Sequence, residues 1–223
     1  MDAEFIARME RILPLYAVPF DERYPQVCFD ERPCFLIGEA VEGLGMKAGP
    51  VARAHYTYEK NGSCALLIAI EPKTAKRLAC VFDQRTKREY ALFMKELAAR
   101  YPRAQKIRVV QDNLNTHSTS AFYETFSAEE AFALAQRFEF FYIPKSASWL
   151  NLIEIELSAL SKQCLNRRIA TKADLTQEVL AIVKEREEKT IKINWQFSIE
   201  SARSKLNRHY QYVNAANIQY QKT

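Results

Sequence analysis

Lys106-Ile-Arg-Val-Val-Gln-Asp-Asn-Leu-Asn-Thr-His117 is the stretch whose reading decides the fold. Ile107, Val109 and Val110 form a short β-branched run, the mark of a buried strand. The run stops at Asp112, and Asn113 to His117 is a polar loop. An acidic side chain at the carboxyl end of a buried strand stands where open α/β sheets bind their ligands. A lone Asp there more often opens an Asx-turn. Asp112 gains weight only if other carboxylates converge on the same point.

Outward from this strand, the apolar spacing of Ala91, Met94, Leu97 and Ala98 predicts a helix over 86–100. That helix and the strand at Ile107 make a crossover unit suited to parallel pairing. On the other side, Ser127-Ala-Glu-Glu130 has the capping-box pattern of a helix start, and 138–143 is a further strand closed by Pro144. Toward the N-terminus, 77–82 reads as a strand. Residues 55–60 and 63–70 read as the arms of a hairpin about Asn61-Gly62, a pair suited to a type I′ turn. Val27 to Ile37 is the first strand, 38–54 a Gly/Pro loop, and 2–13 an amphipathic helix. All five glycines lie between Gly38 and Gly62 and the last proline is Pro144, so the remainder should be helical: about 149–166, then 172–189 behind Thr171 and 199–211 behind Ser198. Antiparallel strands first, then alternating helix and strand, then a helical tail, predict an α/β fold of RNase H-like type. Its mixed sheet is flanked by helices, and a doubly wound sheet fits the order less well.

The 223 residues suffice for one domain with a real core. No apolar run approaches the roughly 18 residues of a membrane span, and no signal-peptide pattern opens the chain. The net charge of +5 is compatible with nucleic acid without proving it. Cys28, Cys34, Cys64, Cys80 and Cys164 show no Cys-x-x-Cys spacing and read as buried thiols of a reducing compartment, which predicts a cytoplasmic protein.

Three acids then matter. Asp30 lies inside an apolar strand, where an unpaired carboxylate is costly. Asp112 ends another. The third stands on the helix Trp149 to Cys164, whose stripe of Ile153, Leu157, Leu160 and Cys164 puts Glu154 on one edge and Glu156 on the other, so periodicity leaves the choice open. Carboxylates drawn together need a cation. Oxygen ligands without a His/Cys set select Mg²⁺ or Mn²⁺, and two such ions about 3.5–4 Å apart serve phosphodiester displacement. Three unrelated acids in caps and salt bridges are the bland alternative, about as well supported by spacing alone.

The motifs Val27-Cys-Phe-Asp-Glu31, Val110-Gln-Asp-Asn-Leu-Asn-Thr-His117 and Pro144-Lys-Ser-Ala-Ser-Trp-Leu-Asn-Leu-Ile-Glu-Ile-Glu-Leu-Ser158 resemble the three signatures of DDE transposases, nearest the bacterial insertion-sequence branch of the mariner superfamily. Cys164-Leu-Asn-Arg-Arg-Ile169 and the segment from Asn194 to Arg203 are similar to that branch too. The resemblance implies an RNase H-like catalytic domain over 21–223, tail included, after a linker helix in 1–20. It makes Asp30, Asp112 and Glu154 the catalytic, metal-binding triad, with Glu154 preferred because it follows the Leu-Asn-x-Ile element. The implied activity is metal-dependent cleavage of insertion-element ends and strand transfer into target DNA, by a homodimer on DNA. Helix-turn-helix domains, expected ahead of the core, are absent from the sequence, which leaves room for a separate N-terminal DNA-binding chain. A generic RNase H-like nuclease and an inactive DNA-binding remnant are the competing readings.

Other residues are weighed for DNA contact: Asn113, Asn115 and His117 in the central loop, Lys145, Ser148 and Trp149 before the third acid, and Arg167 and Arg168 on the tail. For Trp149, core packing is an equal alternative. Glu31 reads as structural or exposed.

Overall fold

A computed structural model describes residues 1–39 and 58–220. Its centre is a five-stranded sheet in the order β3-β2-β1-β4-β5. The strands are β1 (Gln26–Glu39), β2 (Tyr58–Ile70), β3 (Arg77–Phe82), β4 (Ile107–Gln111) and β5 (Phe138–Tyr142). The first three run antiparallel to their neighbours, whereas β4 lies parallel to β1 and β5 parallel to β4. This is the mixed, helix-flanked RNase H-like sheet that the order of elements predicts.

Both faces of the sheet are covered, so its central strands are apolar on both sides. On one face Val27, Phe29, Leu67, Val109 and Phe138 pack against α2 (Lys87–Ala99), α3 (Ser120–Thr125) and α4 (Ala128–Gln136). On the other, Cys28, Leu66, Ile68, Val110 and Phe141 meet α1 (Ala3–Ala17), α5 (Ile153–Leu160), α6 (Lys172–Glu188), α7 (Ile199–Lys205) and α8 (Asn207–Val213). Helix α1 starts on the side-chain cap of Asp2 and buries Met9, Ile12 and Leu13 in this second core.

The expected hairpin at Asn61-Gly62 is corrected. Tyr58 to Ile70 is one continuous strand paired along its length with β1. Asn61 is the extra residue of a bulge, where the register skips from Leu36↔Gly62 to Ile37↔Lys60. Gly62 takes the positive φ of +120° that the pair supplies, but uses it to bend a strand and not to reverse it. Asn61 also sends its side-chain amide to the Ala170 carbonyl at 3.0 Å. Residues 55–57 of that hairpin, and all but the first two of the expected 38–54 loop, lie outside the described residues.

The tail is also less continuous than the lack of Gly and Pro suggests. The expected 149–166 helix is a tight turn at Ser148–Leu150, a break at Asn151, then α5, which widens into a π-type turn at Ser161–Leu165. Residues 189–198 are not helical because tertiary bonds claim their backbone: Arg77 donates to the Ile191 carbonyl at 2.7 Å, and Ile193 N–H donates to the Pro72 carbonyl at 3.0 Å. The 199–211 helix is broken at Leu206 into α7 and α8.

Candidate active site

The β1/β4 register aligns Gln26 with Arg108, Val27 with Val109 and Cys28 with Val110, a constant offset of 82 (110 − 28). The pairing ends there: Asp30 lies two residues further along β1, and Asp112 one residue past the end of β4 at Gln111. Both share the parity of Cys28 and Val110, whose side chains face α1 and α5. Helix α5 packs against β1 and β2 and carries Glu154 in its first turn. Its approach is fixed by Asn151, fully buried, whose amide donates to the Phe29 carbonyl at 2.8 Å, immediately before Asp30.

Asp30 records the result electrostatically. Burial pushes its carboxyl up to about 7, the negative charges of Asp112 and Glu154 push the same way, and the Glu31 N–H at 2.7 Å pulls against them. Asp30, in the interior of β1, and Glu154 line one groove, and Asp112 follows directly on the end of β4, the strand paired with β1. Among the described residues no three His, Cys, Asp or Glu side chains are closed around a point as a finished ion cage. The donor set is nevertheless all hard carboxylate oxygen, and a half-buried carboxyl that resists ionisation is what a divalent cation relieves.

The ambiguity between Glu154 and Glu156 ends with packing. Glu156 is fully buried and bidentate to two guanidinium groups, Arg77 at 2.9 and 3.1 Å and Arg186 at 2.8 and 3.0 Å. It ties α5 to β3 and α6 and has no oxygen to spare. Glu154 remains half-buried beside Asp30 and Pro33.

His117 is not on a DNA-facing surface; that expectation is corrected. Its side chain is fully buried, stacked on Tyr90 at 4.9 Å and edge-on to Phe29 at 5.2 Å. Nδ1 stands 2.5 Å from Asp112 Oδ1, and Nε2 makes an ion-pair contact at 3.4 Å with Glu31 Oε2, without hydrogen-bond geometry. Burial alone lowers the His117 pKa, but Asp112 and Glu31 outweigh it and push it up to about 9. Arg85 closes the series at 3.2 Å from the other oxygen of Glu31. Behind the loop, Gln111 and Tyr142 donate to the His117 carbonyl at 3.0 and 3.3 Å, and Tyr90 donates to Gln111 at 2.9 Å. The His therefore orients the Asp112 carboxylate from within the protein.

The remaining candidates divide. Asn113, Lys145 and Ser148 line a cleft of about 910 Å³ with Asp112 and Arg8. Asn115 is exposed on the same loop outside that lining. Trp149 is 41% exposed and lines a groove with Glu154. Arg167 is engaged by Glu178, and neither it nor Arg168 lines the cleft at Asp112 or the groove at Glu154. Two contributors escape the sequence reading. Glu31, only 4% exposed at its side chain, is the outer partner of His117 and not an exposed acid. Asn151 anchors α5, and its place three residues before Glu154 is the signal that was there to be read.

A family model described as "DDE superfamily endonuclease" matches residues 25–176. No curated protein sequence matches the chain. Among solved structures, the chain is similar to the Mos1 mariner paired end complex with Mn, at 13% identity and TM-score 0.56 over the whole chain. It is likewise similar to a pre-cleavage Mos1 transpososome (11%, TM-score 0.56, whole chain) and to the Mos1 Strand Transfer Complex (12%, TM-score 0.55, 98% of the chain). The chain spans 62–65% of the length of these structures, and at such identity the likeness is one of fold.

Proposed function

The chain belongs to the DDE superfamily endonucleases, and from that footing we propose that it is the catalytic domain of a DNA transposase, cutting insertion-element ends and joining them to target DNA. The observation that carries the reading is geometric: Asp30 on β1 and Glu154 on α5 line one groove, and Asp112 follows the end of β4, the parallel neighbour of β1. Residues 21–223 are then the catalytic domain and 1–20 its leading helix. Two copies assembled on paired DNA ends, acting in the cytoplasm, complete the reading.

Asp30, Asp112 and Glu154 would hold two Mg²⁺ or Mn²⁺ ions. Such a pair, when bound, stabilises the attacking and leaving oxygens of an in-line phosphodiester displacement. His117 keeps one Asp112 oxygen occupied and so presents the other outward. Asn113, Lys145 and Ser148 line the cleft that leads to Asp112, where a Lys and a hydroxyl suit phosphate oxygens. Hydrolysis of one phosphodiester frees a 3′-hydroxyl. That hydroxyl then displaces another 3′-oxygen at the target, one ester bond exchanged for one.

The test is Asp112→Asn, which is near-isosteric and removes the anionic donor. Nicking of supercoiled plasmid in Mg²⁺ or Mn²⁺, and joining of a pre-cut 3′-hydroxyl duplex, should fall at least about a hundredfold with the circular dichroism spectrum unchanged, the scale on which loss of one stabilising group acts. Undiminished activity would remove Asp112 from the chemistry. Nicking without joining in the wild type would favour a nuclease over a transposase.

A further inference from the structure

The groove that Asp30 shares with Glu154 has a volume of about 380 Å³. One wall is β1 from Asp30 to Pro33, and the other is α5 with its π-type turn, from Glu154 to Lys162. The near end of the α5 wall is fixed where Asn151 donates to the Phe29 carbonyl. Beyond the far end the two walls are tied again. Cys34 and Cys64 stand opposite each other on β1 and β2 and share one buried cluster with Cys164 of the π-type turn. Ile37, at the register slip, donates its N–H to the Ile169 carbonyl at 2.8 Å. Asn61, the extra residue of the bulge, donates its side-chain amide to the Ala170 carbonyl at 3.0 Å. Gly38 leaves room for that amide, since a Cβ there would lie 2.9 Å from Asn61 Nδ2. Re-aiming a side chain is a recurrent use of a bulge, and here the side chain so aimed is Asn61.

We propose that Asn61 is a positioning residue: it latches β1 and β2 to residues 166–171 behind α5, and the latch sets how far apart the walls carrying Asp30 and Glu154 stand. The proposal rests on the reading of Asp30, Asp112 and Glu154 as metal ligands. Carboxylates share a small divalent ion only at a fixed separation, because Mg²⁺ tolerates little departure from octahedral geometry. A wall that swings therefore weakens binding with every ligand still present. Helix α5 has eight residues, a length of about 12 Å, and so short a rod does not keep its angle from one end. Glu156 ties it to Arg77 and Arg186, on β3 and α6, and not to β1. The tilt toward β1 is left to Asn151 at the start and to the latch behind the far end.

Two substitutions attack the latch from opposite sides. Asn61→Ala removes the donor, at an exposed position that the fold does not need filled. Gly38→Ala sets a methyl against the end of the same flexible side chain, so the amide moves and the backbone stays. In folded, metal-free protein the Ile37 amide, followed by NMR, should exchange about two- to tenfold faster in each variant, the scale of one lost hydrogen bond. Mn²⁺ affinity, measured by calorimetry without DNA, should fall about two- to thirtyfold, the range over which residues along a coupling network act. Gly38→Ala should add nothing to Asn61→Ala, because its methyl then has no amide to displace. Unchanged Ile37 exchange, or additive effects in the double variant, would overturn the proposal. So would a lower Tm with Mn²⁺ affinity intact, which is what a residue serving only the bulge would give. Glu154→Gln is the control. If it binds Mn²⁺ as the wild type does, the metal-ligand reading fails and the latch has nothing to position. If affinity depends on Glu154 but not on Asn61, the latch alone fails.

Discussion

At the residue scale, the centre of interest is the series Arg85–Glu31–His117–Asp112, in which a buried imidazole lies between two carboxylates and is pinned by Tyr90 and Phe29. Outer partners of this kind typically change metal affinity by about 10–100-fold when removed. His117→Ala should weaken Mn²⁺ binding by about that factor, measured by calorimetry on folded, DNA-free protein. His117→Asn, whose amide N–H can stand near the place of Nδ1, should recover part of the loss. Equal affinity in wild type and His117→Ala would show that Asp112 needs no such guide. Sequence offered His117 as a polar loop residue closing the second motif and a candidate for DNA contact. Its burial follows from Gln111 and Tyr142 holding its carbonyl from two different strands, which no local pattern announces.

At the element scale, α5 is fixed by two side chains of opposite character. Asn151 pins its start to β1, and Glu156 pins its inner face to Arg77 and Arg186. Removing one partner of a buried ion pair leaves an uncompensated charge, which costs about 3–5 kcal/mol. Glu156→Ala should lose stability on that scale in urea denaturation at pH 7. Burial alone would raise the Glu156 pKa, but the bonds from Arg186 and then Arg77 overcome it and hold the carboxyl below its ordinary 4.5. A depressed folded pKa gives stability that is present above about pH 4.5 and lost as pH falls below it. The wild type's lead over Glu156→Ala should therefore shrink between pH 4.5 and 3, and a gap constant across that range would contradict the assignment. The edge positions of Glu154 and Glu156 on the apolar stripe were legible from spacing. Which edge faces the acids and which faces Arg77 depends on how α5 lies across the sheet, and there spacing is silent.

At the scale of the whole molecule, the N-terminal helix and the helical tail close one core. Glu10 accepts from Arg203 at 2.8 and 2.9 Å and from the Tyr210 hydroxyl at 2.6 Å, joining residues some 200 positions apart. Met9, Ile12 and Leu13, at 0–2% exposure, each contribute about 1.5–3 kcal/mol by burial, or about 5–9 kcal/mol together. That is comparable with the entire stability of an ordinary domain. Deleting residues 1–17 should therefore abolish the cooperative thermal transition, whereas a helix serving only as a tether would be lost with little change in Tm. The sequence identified this helix by its amphipathic spacing. What its apolar face packs against was not written in it.

Taken alone, the sequence determined most strands and helices, through runs of β-branched residues, caps at Ser127, Thr171 and Ser198, and the mixed order of elements that dictates an RNase H-like sheet. It also carried three ordered motifs that place Asp30, Asp112 and Glu154 in one family pattern. Those properties are set by neighbours within a few positions along the chain. Only the tertiary structure decided that Asn61-Gly62 bends a strand, that Glu156 is spent on two arginines, that His117 is buried and that Asn151 steers α5. Each of these outcomes depends on a partner on another helix or strand of the fold, and local pattern carries no information about which distant group will arrive.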